Sequence, residues 1–495
     1  MSGHSFLAFD LGAASGRTIL GTFQDQKIHL KELTRFSNSM INVLGHLHWD
    51  VLSLFEEVKK GLRACSSGER VVPESIAIDT WGVDFSLLAR DGSMLSFPYT
   101  YRDSRTDGIM EEFFNTIPRT RIYQLTGIQF LQFNSLFQLF AFKREKSPLL
   151  KIARDLLFMP DLFNYFLTGK KKTEFTYATT SQLYNPLKKD WEDEFFDAIG
   201  VPKTIMQEII PPGIIIGNVV ESVCAETGIP QIPVIVVASH DTGSAVAAVP
   251  AIGSDWAYIS SGTWSCMGVE IQEPIISELA LNLNFTNEGG VEGTFRFLKN
   301  IMGLWLLQEC RRSWAKDREY SYEELIQEAT SAPAFQSFID PDWLGFMKPA
   351  DMPEAIRQFC LKTGQTPPNS YGEFVRCILE SLALKYRYVL DELRQVNPHP
   401  IHRIHVIGGG AKNRLLNRFT ANATGLPVIA GPNEATATGN ILMQARTLGH
   451  IHSFDEMREV ISNSFHPEHY EPHDTARWDA AYERFCSLIE AGANV

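Results

Sequence analysis

Phe6-Leu7-Ala8-Phe9-Asp10-Leu11-Gly12-Ala13-Ala14-Ser15-Gly16-Arg17-Thr18-Ile19-Leu20-Gly21 reads as an apolar strand, a short turn of small and polar residues, and a second strand ending in glycine. The same plan returns in Ala257-Tyr258-Ile259-Ser260-Ser261-Gly262-Thr263-Trp264-Ser265-Cys266-Met267-Gly268. Aligning Gly12 with Gly262 sets the two copies 250 residues apart, about half of the 495-residue chain. A duplicated α/β unit whose two hairpins face each other across a cleft accounts for both the repeat and the length. Strand–glycine–strand is also a common hairpin pattern, so the pair alone leaves both readings open.

Outward from these hairpins, apolar runs alternate with helical patterns along the whole chain, which is α/β organisation. Strands are predicted at Phe6–Asp10, Ile76–Asp79, Val83–Leu88, Val234–Ala238, Ala257–Ser260 and Ile404–Ile407. Amphipathic helices are predicted at Asn134–Lys143, Gly303–Trp314 and Tyr371–Gln395, where apolar residues recur at three- and four-residue spacing. With 45 Lys+Arg against 58 Asp+Glu, the formal charge of −13 leaves no broad basic surface for a nucleic acid or an anionic membrane. Phosphate chemistry must therefore be local. The longest apolar stretches, such as Ile232–Ala238, fall far short of the roughly 18 residues of a membrane span, and the chain is expected in the cytosol. Seven scattered cysteines without a C-x-x-C pair argue against a disulfide framework or a thiolate zinc site.

Five segments could carry chemistry. In Asp10–Thr18 the small residues let backbone N–H groups approach a phosphate chain, Ser15 and Thr18 add hydroxyls, Arg17 supplies a charged fork, and Asp10 could hold a magnesium-bound water. The bland alternative is a plain hairpin turn, and no G-x-x-x-x-G-K-[ST] loop occurs anywhere. In Ile404–Asn413 the triple glycine Gly408-Gly409-Gly410 leads into the helical pattern Arg414–Thr424, which would aim a helix N-terminus at a nucleotide. It fails the dinucleotide fingerprint at Asn413 and could be a simple tight turn. In Val234–Ala248 a buried strand runs into His240-Asp241-Thr242. An aspartate there can accept a proton from an attacking hydroxyl, although Asp241 or Thr242 could instead be a helix N-cap. Asp79-Thr80-Trp81-Gly82-Val83-Asp84-Phe85, with Tyr101–Thr106, offers carboxylates and an aromatic face to a sugar, and Gly82 would admit it to the backbone; Trp81 alone fits a core role as well. Finally, Phe297–Glu309 places Asn300 and Gln308 eight apart and so near one helical face, although taken alone the segment reads as a core helix with solvated polar residues. Two histidine strings, His399–His405 and His466–His473, contain prolines that forbid a regular metal-binding helix face, and no metal site is predicted from them.

Taken in this order, from Phe9-Asp10-Leu11-Gly12 through Ala238–Thr242, Ser260–Ser265, Thr286–Gly290 and Leu298–Gln308 to Gly408–Gly410 and Glu434-Ala435-Thr436, the segments resemble the FGGY carbohydrate kinases of the actin-like ATPase superfamily. The glycine turns mark the superfamily. Asp79–Phe85, Tyr101–Thr106 and Lys299–Trp305 narrow the resemblance to members acting on L-rhamnulose. It implies two actin-like (ribonuclease H-like) α/β domains around a central cleft, at 1–248 and 249–495, the first carrying sugar and base, the second the nucleotide. It implies transfer of a phosphoryl group from ATP, with Mg2+, to a small ketose, giving L-rhamnulose 1-phosphate. L-Fuculose or L-ribulose is the alternative ketose, and a sugar-independent actin-like ATPase the alternative class. Carried over by position, Asp241 would be the catalytic base, and Gly82, His240, Thr242 and Asn300 would lie at the sugar. Ala13, Ala14, Ser15, Gly16, Arg17, Thr263, Gln308 and Gly409 would lie at ATP, and Asp10 would hold the metal through water. Ala14 stands where the family can have serine.

Overall fold

The computed structural model describes residues 3–316 and 318–492. The chain forms two compact units. The first takes the chain up to Ile252, Glu270–Phe297 and Ala435–Phe465; the second takes Gly253–Val269, Leu298–Glu434 and the chain from His466 on.

The first sheet contains β1 (His4–Leu11), β2 (Ser15–Gln24), β3 (Lys27–Ser37), β4 (Ser75–Thr80), β5 (Ile214–Asn218) and β6 (Pro233–Val236), in the order β5-β6-β4-β1-β2-β3. β1 pairs antiparallel with β2 and parallel with β4, β4 pairs parallel with β6, and β5 closes the edge antiparallel to β6. Phe6–Leu11 of β1 and all of β4 are buried, as expected of central parallel strands covered on both faces.

The second sheet contains β7 (Trp256–Ser261), β8 (Trp264–Ile271), β9 (Thr286–Gly289), β10 (Phe295–Met302), β11 (Arg403–Ile407), β12 (Val428–Ala430) and β13 (Glu468–Tyr470), in the order β9-β10-β8-β7-β11-β12-β13. β7 pairs antiparallel with β8 and parallel with β11, β11 pairs parallel with β12, and β13 is antiparallel to β12. From each hairpin outward the plan is therefore the same: antiparallel turn, two parallel neighbours, antiparallel edge. The short sequence repeat is the visible part of a repeated sheet.

Most predicted elements fall within a residue or two of the observed ones, including the helices Ser135–Arg144, Tyr371–Val396 and Arg414–Thr424. Three readings are corrected. The strand predicted at Val83–Leu88 begins at Phe85, because Val83 sits at φ +68°, a turn conformation that breaks the pleat. The strand predicted at Val234–Ala238 ends at Val236, although Thr80 and His240 still bridge in parallel register. Phe297–Glu309 is not one helix: it is the end of β10, a turn at Gly303, and the helix Trp305–Trp314. A Cβ at Gly303 would lie 2.6 Å from Ser265 Oγ and 2.9 Å from the Gly262 carbonyl oxygen, and the Gly303 and Leu304 amides donate to Thr263 O and Gly262 O. The apolar run that suggested a helix face is a buried strand.

Candidate active site

In the first unit, Asp10 lies opposite Asp79 across the parallel β1–β4 pair and opposite Arg17 across the β1–β2 hairpin. Opposed residues share a sheet face, so Arg17, Asp10 and Asp79 form a row at the ends of three strands. Arg17 donates to Asp10. Behind the turn, Gly12 N–H donates to Ser15 O at 3.0 Å, and Asn38 clasps both Gly12 O and Ala14 O. The Thr80–His240 bridge delivers Asp241 to the same end of the sheet. Burial, then the charge of Asp10, pushes the Asp79 carboxyl well above the usual range; burial first also raises Asp241, with Asp10 adding and His240 opposing.

Asp241 is the first residue of the helix Asp241–Ala247, and its Oδ1 accepts from Thr242 N at 2.6 Å and Thr242 Oγ1 at 3.2 Å. His240, rather than Asp241 or Thr242, takes the N-cap position. The Asp241 side chain remains 30% exposed beside the nearly buried His240. His240 is held from two sides. Its Nδ1 lies 3.3 Å from Glu288 Oε2 and 3.2 Å from Nη2 of the fully buried Arg296, which also donates from Nε to Gly289 O; its Nε2 lies 3.4 Å from Asp241 Oδ1. A Cβ at Gly82 would come within 3.2 Å of His240 Nε2, so the absence of a side chain at 82 leaves that ring face open. Beneath, Ser239 N–H donates to Glu174 Oε2 at 3.0 Å and His240 N–H to Thr176 Oγ1 at 3.2 Å. Glu174 is fully buried, and burial pushes its carboxyl up to about 7.

The Asp79–Phe85 string divides in two. Asp79 belongs to the carboxylate row, whereas Asp84 Oδ2 accepts from the indoles of Trp49 and Trp81 and from Tyr101 N–H, and its Oδ1 from Gln138. Trp81 is buried against Trp49, so it serves the core. Tyr101–Thr106 is likewise built inward: Arg105 is buried, donates twice to Gln138 and lies over Tyr99.

The second unit has its own constellation. Thr263, in the turn between β7 and β8, donates to Gln308 Oε1 at 3.2 Å from the helix Trp305–Trp314. Asn300 lies on β10, where its Oδ1 accepts from Cys266 Sγ. Asn300 and Gln308 thus occupy a strand and a helix. In the triple glycine, Gly408 has φ +79° and a Cβ at Gly410 would collide with Ser261 Oγ at 2.0 Å. Gly409 is exposed with open space at its Cα, and Asn413 caps Arg414–Thr424 by accepting from Leu416 N. Bare backbone before a capped helix is suited to an anion.

The residues that sequence reasoning left out are those that tune the named ones. Asp79 and Glu288 lie in strings already singled out, but Arg296, Glu174 and Asn440 carry no local signal. Asp79 Oδ2 accepts from Asn440 Nδ2 at 2.6 Å, while its buried Oδ1 has no hydrogen-bond partner among the described residues. An orphaned carboxylate oxygen beside two further carboxylates fits a hard divalent cation, which takes oxygen ligands. Among the described residues, neither histidine string gathers three ligands, and no helix is long and apolar enough to cross a membrane.

The doubled sheet is that of the actin-like sugar kinases. A gluconate kinase from Lactobacillus acidophilus superposes with a TM-score of 0.81 at 17% identity, covering 99% of this chain and 98% of that one. A xylulose kinase from Rhodospirillum rubrum does so with a TM-score of 0.78 at 18% identity, covering 99% of each chain. Residues 5–248 match the N-terminal domain and residues 257–448 the C-terminal domain of the FGGY family of carbohydrate kinases, and the chain belongs to that family. Rhamnulokinase of Bacteroides thetaiotaomicron is 52% identical over 98% of this chain and 99% of its own, and rhamnulokinase of Halalkalibacterium halodurans 44% identical over 94% and 98%. The chain is a sugar kinase.

Proposed function

We propose that the protein transfers a phosphoryl group from ATP to L-rhamnulose, giving L-rhamnulose 1-phosphate in the breakdown of L-rhamnose in the cytoplasm. The observation that carries this reading is the 41–52% identity, over nearly the whole chain, to relatives named rhamnulokinase. Residues 1–248 supply the base, most of the sugar site and the phosphate turn at Ala13–Arg17, and residues 249–495 supply Asn300 to the sugar and Thr263, Gln308 and Gly409 to ATP.

Asp241 acts as the base. It orients the sugar hydroxyl and takes its proton late, because phosphoryl transfer is chiefly positioning and charge neutralisation. Its raised pKa makes it a better proton acceptor than an exposed aspartate. His240, Thr242, Gly82 and Asn300 hold the sugar, and Glu288 with Arg296 keeps the His240 ring in one orientation. Ala13, Ala14, Ser15, Gly16 and Arg17 hold phosphate with backbone donors and one guanidinium; Thr263, Gln308 and Gly409 hold the rest of ATP. Magnesium, held through water at Asp10 with Asp79 and Asp241 nearby, would supply positive charge to the phosphates.

ADP release across a panel of ketoses tests the assignment. Turnover that requires L-rhamnulose, and falls sharply with L-fuculose and L-ribulose, is the expected result. Preference for another ketose overturns the substrate, and release that ignores sugar overturns the kinase role.

A further inference from the structure

Away from the carboxylate row, the first unit gathers three ligand-type side chains that no catalytic role uses. His4 Nδ1 lies 2.6 Å from Glu74 Oε1, and His450 Nε2 lies 2.7 Å from Glu74 Oε2. The two imidazole rings overlap at 3.7 Å between centroids, tilted by 32°. We propose that His4, Glu74 and His450 form a binding site for a borderline transition-metal cation of the zinc class.

The chemistry of the set selects that class. Two imidazoles and one carboxylate suit Zn2+ and its neighbours, whereas Mg2+ and Ca2+ take oxygen ligands. All the ligand atoms lie within 4.8 Å of one another. A tetrahedral Zn2+ with bonds of about 2.0–2.1 Å sets its ligands about 3.3 Å apart, so small side-chain rotations suffice. The backbones are already fixed. His4 pairs with Phe23 across β1–β2, Glu74 N–H donates to Ser5 O at 2.7 Å, and His450 N–H donates to Ala445 O at 2.9 Å. A site whose backbone is ordered before the ion arrives loses little conformational entropy on binding.

The electrostatics agree. Burial works against ionisation of Glu74, but hydrogen bonds from His4 and His450 outweigh it and hold the carboxyl below its ordinary value, so it is an anion at neutral pH. Side-chain exposures of 45% for His4, 38% for Glu74 and 21% for His450 leave the fourth position to water. On binding, the proton that each imidazole donates to Glu74 shifts to the ring nitrogen facing away, and the nitrogen so freed offers its lone pair to the ion. The bound ion would join the start of β1, the residue before β4 and the segment after the helix Ala435–Thr447. It would stabilise the first unit without entering the chemistry.

The test is a titration of the tag-free, EDTA-treated full chain with Zn2+ by calorimetry and elemental analysis, in excess Mg2+ to keep the carboxylate row occupied. The expected result is one Zn2+ per chain with a rise in Tm. Glu74→Gln and His450→Gln should each weaken binding about tenfold or more, while His469→Gln, on the exposed histidine string, leaves it unchanged. If His450→Gln fails to fold in EDTA, Glu74→Gln and His4→Gln carry the same reading. Absence of stoichiometric Zn2+ from the wild type, or wild-type affinity in the folded site variants, overturns the proposal.

Discussion

The two hairpins share a topology and differ in charge. Around the first, Asp10 and Arg17 pair at the turn, and after burial the charge of Asp10 adds to the upward push on the carboxyls of both Asp79 and Asp241. Around the second, the side chain at the turn is Thr263, its partner is the neutral amide of Gln308, and the loop beyond β11 is bare glycine backbone. The scaffold is repeated, and the row of carboxylates lies at the first hairpin. The first hairpin presents one guanidinium among three carboxylates, while the second presents a hydroxyl, an amide and bare glycine backbone. That difference sets the order in which substitutions should hurt.

The largest effect is expected at Asp241. Asp241→Asn keeps the size of the side chain and removes the proton acceptor, so kcat should fall about 10²–10⁴-fold while ATP affinity holds. Equilibrium binding of ATP alongside single-turnover transfer separates the two. Near-normal turnover would remove Asp241 as base and leave the first hairpin no more chemical than the second. In the wild type, activity should be lost on acidification at a pH above that of an ordinary aspartate, because the protonated base is inactive and burial favours that form.

Glu174 tests the ground on which that charge stands. Its carboxyl, buried and pushed up to about 7, is neutral in the folded chain at a pH where the unfolded chain has already released the proton. The folded pKa is raised, so Glu174 contributes stability that is present below its ordinary value and lost as pH rises through about 7. Urea unfolding of the wild type and Glu174→Gln at several pH values should show the wild type losing about 3 kcal/mol relative to the variant between pH about 4.5 and about 8. A difference independent of pH would mean that the carboxyl holding Ser239 is ionised throughout.

Arg17→Ala comes next. A charge-assisted hydrogen bond is worth about 1.5–3 kcal/mol, so KM for ATP should rise about 10–100-fold. The variant also frees the charge of Asp10, which then presses harder on Asp79 and Asp241. The acid limb of the rate profile should therefore move to higher pH, which no loss of simple packing would produce. An unmoved limb would mean that Arg17 does not set the charge Asp241 feels.

How far the sequence reveals this follows from the range of each interaction. The hairpins are legible because burial makes their strands continuously apolar and their turns need small residues, both local demands. Phe297–Glu309 misleads because an apolar run fits a buried strand as well as a helix face, and only the fit of Gly303 against Ser265 and Gly262 decides. The tuning residues are silent for another reason. Asn440 stands 361 positions from the Asp79 it hydrogen-bonds, and Glu174 reaches Ser239 across 65. The histidines show the same limit: two conspicuous strings gather no three-ligand group among the described residues, while His4, Glu74 and His450 meet from far apart in the chain. Local pattern finds where backbone must be bare or buried; partners brought in by the fold decide what a carboxylate there does.

The smallest effect is expected at Thr263, and it bears most directly on the contrast between the hairpins. Thr263→Ala removes a neutral hydrogen bond to Gln308 Oε1. Such a bond contributes about 0.5–1.5 kcal/mol, so KM for ATP should rise only about two- to tenfold. Because no ionised group loses a partner, the acid limb of the rate profile should stay where the wild type has it, unlike that of Arg17→Ala. Measuring KM and the pH profile of both variants in one series sets the two turns side by side. If Thr263→Ala costs as much as Arg17→Ala, the second hairpin holds its anion through more than neutral donors, and the division of charge between the copies fails.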